Sequence, residues 1–151
     1  MHMFPNRGQF ARHRIQIEMP RAGHPLQGNV VHVTACNLAH LFDTLIGMSG
    51  FYDLGPSYLK GYSDENCFFN NPAWFVPGLN NGPLDTLRYH SRIILATGQG
   101  AFEAPHASRN FSEVLSRKQI PHRLDVWGFD VNHDWPWWRK MLPHFIDQLG
   151  Y

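Results

Sequence analysis

The sequence predicts an α/β fold in which a short, mostly parallel β-sheet is flanked by helices. Residues 43–50 and 91–98 are short apolar runs that end in glycine, a pattern typical of buried parallel strands. A helical pattern over residues 105–118 then separates the second run from a further strand at residues 122–126. Strands that alternate with helices pair in parallel, and the helices then cover both faces of the sheet.

The other elements follow from local patterns in chain order. Alternating apolar and polar residues predict a short strand over residues 14–18. Residues 29–40 fit either a strand, because they are rich in valine, or a buried helix, because their apolar residues recur at helical spacing. Residues 51–82 contain four glycines, three prolines and five asparagines, and they are predicted to form an irregular excursion with short helical turns near 56–60 and 72–76. Excursions of that length inside a domain are usually functional.

Two helices are predicted after the excursion, and both are amphipathic. In the helix over residues 105–118, Phe111, Val114 and Leu115 are expected to face the core. A final helix is predicted from Pro136 to about Leu149, with a glycine after it. The tryptophans near its start could form a stacking surface for sugars or bases, but packing of Trp138 against the core is the simpler interpretation.

Length and composition indicate one globular domain. The chain has 151 residues, enough to bury a substantial core, and we assign residues 15–151 to the domain and leave residues 1–14 as an unassigned N-terminal segment. Hydrophobic residues make up 43% and charged residues 17% of the chain, which excludes a disordered charged tail. Thirteen basic and twelve acidic side chains give a net charge of +1, so we expect neither nucleic acid nor a membrane as partner. No apolar run approaches the ~18 residues of a membrane helix.

The cysteine, histidine and glycine patterns predict no metal and no cofactor. Cys36 and Cys67 are too few for a disulfide framework or a four-thiolate zinc site, and they favour a reduced, cytoplasmic setting. The ten histidines are scattered, and no pair has the spacing of a helical zinc site. The turn at residues 98–100 lacks the third glycine of a dinucleotide-binding loop. The first ten residues lack the apolar core of a signal peptide.

Polar residues follow three of the predicted strands, at the ends where parallel sheets bind ligands. They are Ser49, Glu103 and His133, which supply a hydroxyl, a carboxylate and an imidazole. A serine hydrolase needs a carboxylate to orient its histidine and a histidine to take the proton of its nucleophile. The order serine, acid, histidine is that of α/β-hydrolases. A histidine in a loop before a helix also serves as a cap or a surface group, so both interpretations stay open at this point.

A longer set of motifs resembles one enzyme family. Residues 15–149 resemble the C-terminal part of an esterase family of α/β-hydrolases, which includes S-formylglutathione hydrolase and its mycolyltransferase relatives. The His-Asp-Trp-Pro-x-Trp run at residues 133–138 is a specific motif of that family. The resemblance is carried by residues 41–53, 69–72, 97–103, 118–122, 124–128 and 132–143.

The resemblance implies a partial α/β-hydrolase fold, a catalytic pair and a substrate class. The histidine of the His-Asp-Trp-Pro run is the family's catalytic base, so His133 takes that role by resemblance. Glu103 is the match for the acid, because it follows the strand that supplies the acid in the family, and Asp125 and Asp130 are the alternatives. The implied substrates are small carboxylic esters, and no cofactor is implied.

The nucleophile departs from the family pattern. The family carries its serine on a Gly-x-Ser-x-Gly elbow, and the matching place is residues 23–28, where Pro25 stands in the serine position. A proline has no hydroxyl, and it restricts the sharp turn of the elbow. Ser49 does not restore the motif, because Gly50 comes one place too early. Cys36 is a further substitute nucleophile, although a free cysteine is more often a small buried residue.

Two functions from different classes are therefore expected. The first is a serine-esterase-type hydrolase scaffold, weakened or inactive, in which the nucleophile is a histidine-activated water or Ser49. The second is a non-catalytic hydrolase-like module or interaction protein, including one part of a split or truncated esterase. The strand at 15–18 would have an open edge in either case, because the earlier strands of the family have no room in residues 1–14. Open edges pair with other chains, so we expect a homo-oligomer, a complementing chain, or cover by residues 1–14.

Overall fold

The computed structural model describes residues 15–18, for which only the backbone is described, and residues 43–150. Three sequence-based expectations fall outside these ranges. They concern the degenerate elbow with Pro25, the structure of residues 29–40 with Cys36, and the covering role of residues 1–14, and they remain predictions.

In the described part of the chain, four parallel strands form the sheet, and each strand pairs with the next one along the chain. They are β1 (Ile15–Glu18), β2 (Thr44–Met48), β3 (Arg92–Thr97) and β4 (His122–Val126). The sheet order is β1-β2-β3-β4, and every pairing is parallel. The predicted strands are confirmed to within two residues. Continuous apolar runs such as Thr44–Met48 are typical of strands that are buried on both faces.

Five α-helices and two short helical turns connect the strands within the described residues. They are α1 (Glu65–Phe69), α2 (Pro72–Phe75), α3 (Asn81–His90), α4 (Pro105–Arg117) and α5 (Trp135–Leu149), with a π-helical turn at Gly55–Leu59 and a 3-10 turn at Val76–Gly78. Asp134 caps the start of helix α5, and the helix ends before Gly150, whose φ of 79° is left-handed. A glycine after the last helical residue is the expected stop signal.

The sheet separates two hydrophobic clusters, and helices cover both of its faces as predicted. Leu45, Ile93 and Leu95 pack on one face against residues from α3 and α4. The neighbouring strand residues, Ile46 and Ile94 among them, point to the other face and pack against Trp138, Met141 and Phe145 of α5. This alternation follows from the two-residue period of a strand. Trp138 is fully buried, which confirms its predicted place in the core.

The excursion after β2 is more helical than the sequence predicts. The expected turns near 56–60 and 72–76 are present, but helices α1 and α3 were not expected. The start of α3 is rich in residues typical of a turn, namely asparagines, Gly82 and Pro83. A proline is nevertheless well suited to a first helical turn. Leu84 and Leu87 then supply the buried face that stabilises α3.

Within residues 15–18 and 43–150, no helix combines the length and the apolar character needed to cross a membrane. The same residues contain no group of three or more histidine, cysteine, aspartate or glutamate side chains placed to hold a metal ion.

Candidate active site

Three loops at the carboxyl ends of the strands bring the predicted site residues to one edge of the sheet. Ser49 follows β2, Glu103 lies in the loop after β3, and His133 lies in the loop after β4. The carboxyl ends of neighbouring parallel strands meet at the same edge. This topology explains why residues far apart in the sequence become neighbours.

A ladder of hydrogen bonds joins the loop after β3 to the loop after β4. The backbone amide of Gly100 donates to the carbonyl of Val131 at 2.8 Å, and the amide of Ala101 donates to the side chain of Asn132 at 2.7 Å. The amide of His133 donates back to the carbonyl of Ala101 at 3.0 Å. Only glycine at position 98 permits the two loops to come this close, because a Cβ there would lie 2.1 Å from the carbonyl oxygen of Val131. The two loops therefore fix the backbone of His133 beside the turn that carries the acid.

Glu103 is the best-held side chain of the site. Its side chain is only 1% exposed. Its Oε1 accepts a hydrogen bond from the hydroxyl of Ser49 at 2.6 Å, and its Oε2 accepts one from the hydroxyl of Thr97 at 3.1 Å. Burial works to raise the pKa of Glu103, but the neighbouring imidazole of His133 and the Ser49 hydroxyl outweigh it and hold that pKa below the usual range. These contacts favour the ionised carboxylate.

His133 approaches the same carboxylate. Its Nδ1 lies 3.8 Å from Oε2 of Glu103, and its side chain is 18% exposed. This distance exceeds that of a hydrogen bond but lies within the range of an ion pair. The imidazole also packs edge-on against the ring of Trp138, with centroids 5.0 Å apart. The carboxylate and the indole together orient the ring, and the ring still reaches solvent.

Ser49 contacts the acid and not the histidine. Its hydroxyl donates to Glu103 and accepts a hydrogen bond from the indole Nε1 of Trp138 at 3.1 Å. The residue is 5% exposed, and its φ is 55°. In the described part of the chain, no hydroxyl donates to the imidazole of His133. The geometry thus links Ser49, Glu103 and His133 in that order, with the acid in the middle.

The two alternative acids lie in other surroundings. Asp125 is on β4 and forms an ion pair with Arg123 at 2.7 Å. Asp130 is exposed, with its carboxylate close to Gly128. The carboxylate that the structure places beside His133 is that of Glu103.

Sequence reasoning missed two residues of the site, Thr97 and Trp138. Thr97 is the last residue of β3 and is fully buried, so a polar side chain at the end of an apolar strand was the available signal. Trp138 was expected in the core, and it does lie there, but its indole N–H needs an acceptor when buried. Ser49 supplies that acceptor.

Solved structures of hydrolases resemble this fold. A ferulic acid esterase matches with a TM-score of 0.61 at 15% identity, over 86% of this chain and 47% of that one. FphF, a fluorophosphonate-binding serine hydrolase of Staphylococcus aureus, matches with a TM-score of 0.59 at 13% identity, over 81% of this chain and 50% of that one. The chain has a partial α/β-hydrolase fold.

The α/β-hydrolase likeness extends to a peptidase and covers part of each relative. Dipeptidyl peptidase 4 of Porphyromonas gingivalis matches with a TM-score of 0.58 at 14% identity, over 82% of this chain and 18% of that one. The chain thus spans about half the length of the esterase and of FphF. No family model and no curated protein sequence matches the chain.

Proposed function

We propose that this chain is a hydrolase scaffold for small carboxylic esters in which Glu103 and His133 form the acid–base pair. The observation that carries the proposal is the buried Glu103 carboxylate, which two hydroxyls hold in place and which lies 3.8 Å from Nδ1 of a partly exposed imidazole. A rigid carboxylate beside a histidine at the carboxyl edge of a parallel sheet is the arrangement that orients a general base. The hydrolase-like fold supports the same chemistry.

In this proposal Glu103 selects the useful tautomer of His133. A carboxylate beside Nδ1 favours a proton on that nitrogen. Nε2 is then free to accept a proton from an attacking water or hydroxyl. As the oxygen of water bonds to the ester carbonyl, its proton passes to Nε2, and the imidazolium then protonates the departing alcohol. The carboxylate stabilises the imidazolium that forms between the two steps.

We assign Ser49 a positioning role in the same site. Its hydroxyl proton is directed at Glu103, and its other contact is the buried indole of Trp138. A nucleophilic serine would instead donate its proton to the base. Ser49 therefore suits the task of holding the acid, and a histidine-activated water suits the task of nucleophile.

Ester hydrolysis with matched variants tests this proposal. Surface imidazoles also cleave p-nitrophenyl acetate, so the exposed His106 provides the control variant His106→Gln. General base catalysis accelerates a reaction by about 10²–10⁴-fold. We therefore expect His133→Gln to lower the rate of ester hydrolysis at this site by about 100-fold or more. Glu103→Gln should lower it by about tenfold or more, because the tautomer is no longer fixed. Equal rates for His133→Gln, His106→Gln and the unchanged chain would contradict the assignment.

A non-catalytic, hydrolase-like module is the second candidate function. It is favoured by the finding that no described hydroxyl donates to His133, together with the proline at the elbow position. On this hypothesis His133 and Glu103 are idle in the isolated chain, and His133→Gln, His106→Gln and the unchanged chain cleave esters at equal rates. A complementing chain would then supply the missing serine. When such a chain is added, a serine on the added chain should become reactive to fluorophosphonates. This labelling should be lost in the His133→Ala variant.

Self-association at β1 belongs to the same proposal. Within the described residues, β1 pairs with β2 alone, and a strand with one open side is a template for another strand. We propose that a second copy covers this edge. Light scattering should give a mass of at least two chains, and a mass equal to one chain would contradict the oligomer.

A further inference from the structure

A second serine–histidine pair lies at the opposite end of β4 from His133. His122 is the first residue of β4, and Ser112 lies in the middle of α4. Oγ of Ser112 is 2.7 Å from Nε2 of His122, and Nδ1 of His122 is 2.8 Å from the carbonyl oxygen of Ile120. Both side chains belong to half-buried residues. The pair is therefore separate from the site at the carboxyl edge of the sheet.

When His122 is neutral, its neighbours determine which ring nitrogen carries the proton. A carbonyl oxygen can only accept, so the contact with Ile120 requires the proton of the neutral imidazole on Nδ1. Nε2 is then an acceptor, and the Ser112 hydroxyl must donate to it. The backbone carbonyl thus plays the orienting part that a carboxylate plays in a catalytic triad. A hydroxyl that donates to an oriented imidazole is the usual arrangement of an activated serine.

We infer that Ser112 is a reactive serine, with His122 as its base, and that it accepts an acyl group from activated acyl donors such as aryl esters or thioesters. Oγ of Ser112 forms a bond to the carbonyl carbon, and the hydroxyl proton passes to Nε2 of His122. The bond from the carbonyl carbon to the leaving oxygen or sulfur breaks, and that atom takes the proton from His122. No oxidant, metal or cofactor is needed to balance the step.

The surroundings of Ser112 predict a single acylation and not rapid turnover. Ser112 lies inside a helix of 13 residues, where backbone N–H groups donate to carbonyls one turn earlier. Such amides are not available to stabilise an oxyanion, and loss of one oxyanion donor typically costs about 10²–10³ in rate. Poorly activated esters should therefore react slowly, and the acyl group should stay on Ser112 long enough to be isolated. This reactivity is independent of the ester hydrolysis proposed for His133.

Fluorophosphonate labelling followed by tryptic mapping tests the inference. Cleavage after Arg109 and Arg117 releases residues 110–117, which contain Ser112 and the exposed Ser116. The second serine has no imidazole partner among the contacts of the described chain, so it is an internal control in the same peptide. We expect the adduct on Ser112 and not on Ser116. No adduct on Ser112, or equal labelling of the two serines, would overturn the inference.

Two variants separate this site from the edge of the sheet. His122→Gln keeps a side chain that can accept from Ser112 and donate to Ile120, but it removes the base. We expect it to slow labelling of Ser112 by about 100-fold, while His133→Gln leaves labelling of Ser112 unchanged. An unchanged rate in His122→Gln would overturn the inference. Conversely, Ser112→Ala should leave His133-dependent hydrolysis of p-nitrophenyl acetate intact, so the two proposals can fail separately.

A measurement on the unchanged chain guards against variants that do not fold. Nitrogen-15 chemical shifts of the imidazole distinguish a protonated ring nitrogen from an accepting one. We expect Nδ1 of His122 to be protonated and Nε2 to be an acceptor. A protonated Nε2 in the neutral ring would overturn the inference without any substitution.

Discussion

Replacing Ser49 by alanine removes two hydrogen bonds, one partly buried and one buried. The hydroxyl donates to the carboxylate of Glu103 at 2.6 Å and accepts from the indole of Trp138 at 3.1 Å. A hydrogen bond to a charged group contributes about 1.5–3 kcal/mol, and a buried donor left without a partner costs about 1–3 kcal/mol. We therefore expect Ser49→Ala to lower the free energy of unfolding by about 2.5–6 kcal/mol.

Urea unfolding followed by tryptophan fluorescence measures this change, and Ser116→Ala is the matched control. Ser116 is exposed on α4, so its replacement should change the free energy of unfolding by less than about 0.5 kcal/mol. The left-handed φ of Ser49 is equally unfavourable for serine and alanine, so the backbone does not contribute to the difference. A loss below about 1 kcal/mol would refute the reasoning, since it would mean that the two contacts add little to stability.

Three further expectations concern other contacts. Gly98→Ala should destabilise the fold by about 2–3 kcal/mol, as overpacking does, because its Cβ would lie 2.1 Å from the carbonyl oxygen of Val131. Gly82 has open space around it, so the control variant Gly82→Ala should be neutral or slightly stabilising in the same urea assay. The pKa of Glu103 is held below its ordinary value of 4.5, so its stabilising effect is present above pH 4.5 and is lost as the pH falls through the lower folded value. Glu103→Gln should abolish that acid-dependent part of the unfolding free energy, and an unchanged pH profile would count against it. Arg88 donates from Nε and Nη2 to the backbone carbonyl of Lys118 at the end of α4. Arg88→Gln should therefore lower the melting temperature by several degrees, which corresponds to about 1–2 kcal/mol. An unchanged melting temperature would contradict a structural role for Arg88.

The sequence predicts β2 and β3 well because these two strands are buried on both faces. Residues 43–50 and 91–98 contain apolar runs without alternation, a pattern typical of a parallel strand between two helical layers. Helix α3 was missed for the opposite reason. Its first residues are typical of a turn, and its stability comes from Leu84 and Leu87 packing against the core, which local patterns do not reveal.

The site is predictable to the level of topology and not to the level of contacts. The meeting of Glu103 with His133 follows from strand ends that share an edge. The contact between Ser49 and Trp138 joins residues 89 positions apart, and it depends on the rotation of α5 against the sheet. The pairing of Ser112 with His122 likewise depends on how α4 docks beside β4. No spacing rule in the sequence carries either piece of information.

The stepwise order of the sheet has a consequence for folding during synthesis. Each strand pairs with the next one made, so the sheet can grow from β1 towards β4 as the chain emerges, at about 5–20 residues per second. Glu103 can meet Ser49 and Thr97 once β3 is in place. His133 and Trp138 arrive only with the segment that follows β4. A nascent chain that stops after α4 would thus hold a carboxylate with hydroxyl partners but no imidazole. Its newly formed sheet would also expose the apolar face that α5 later covers.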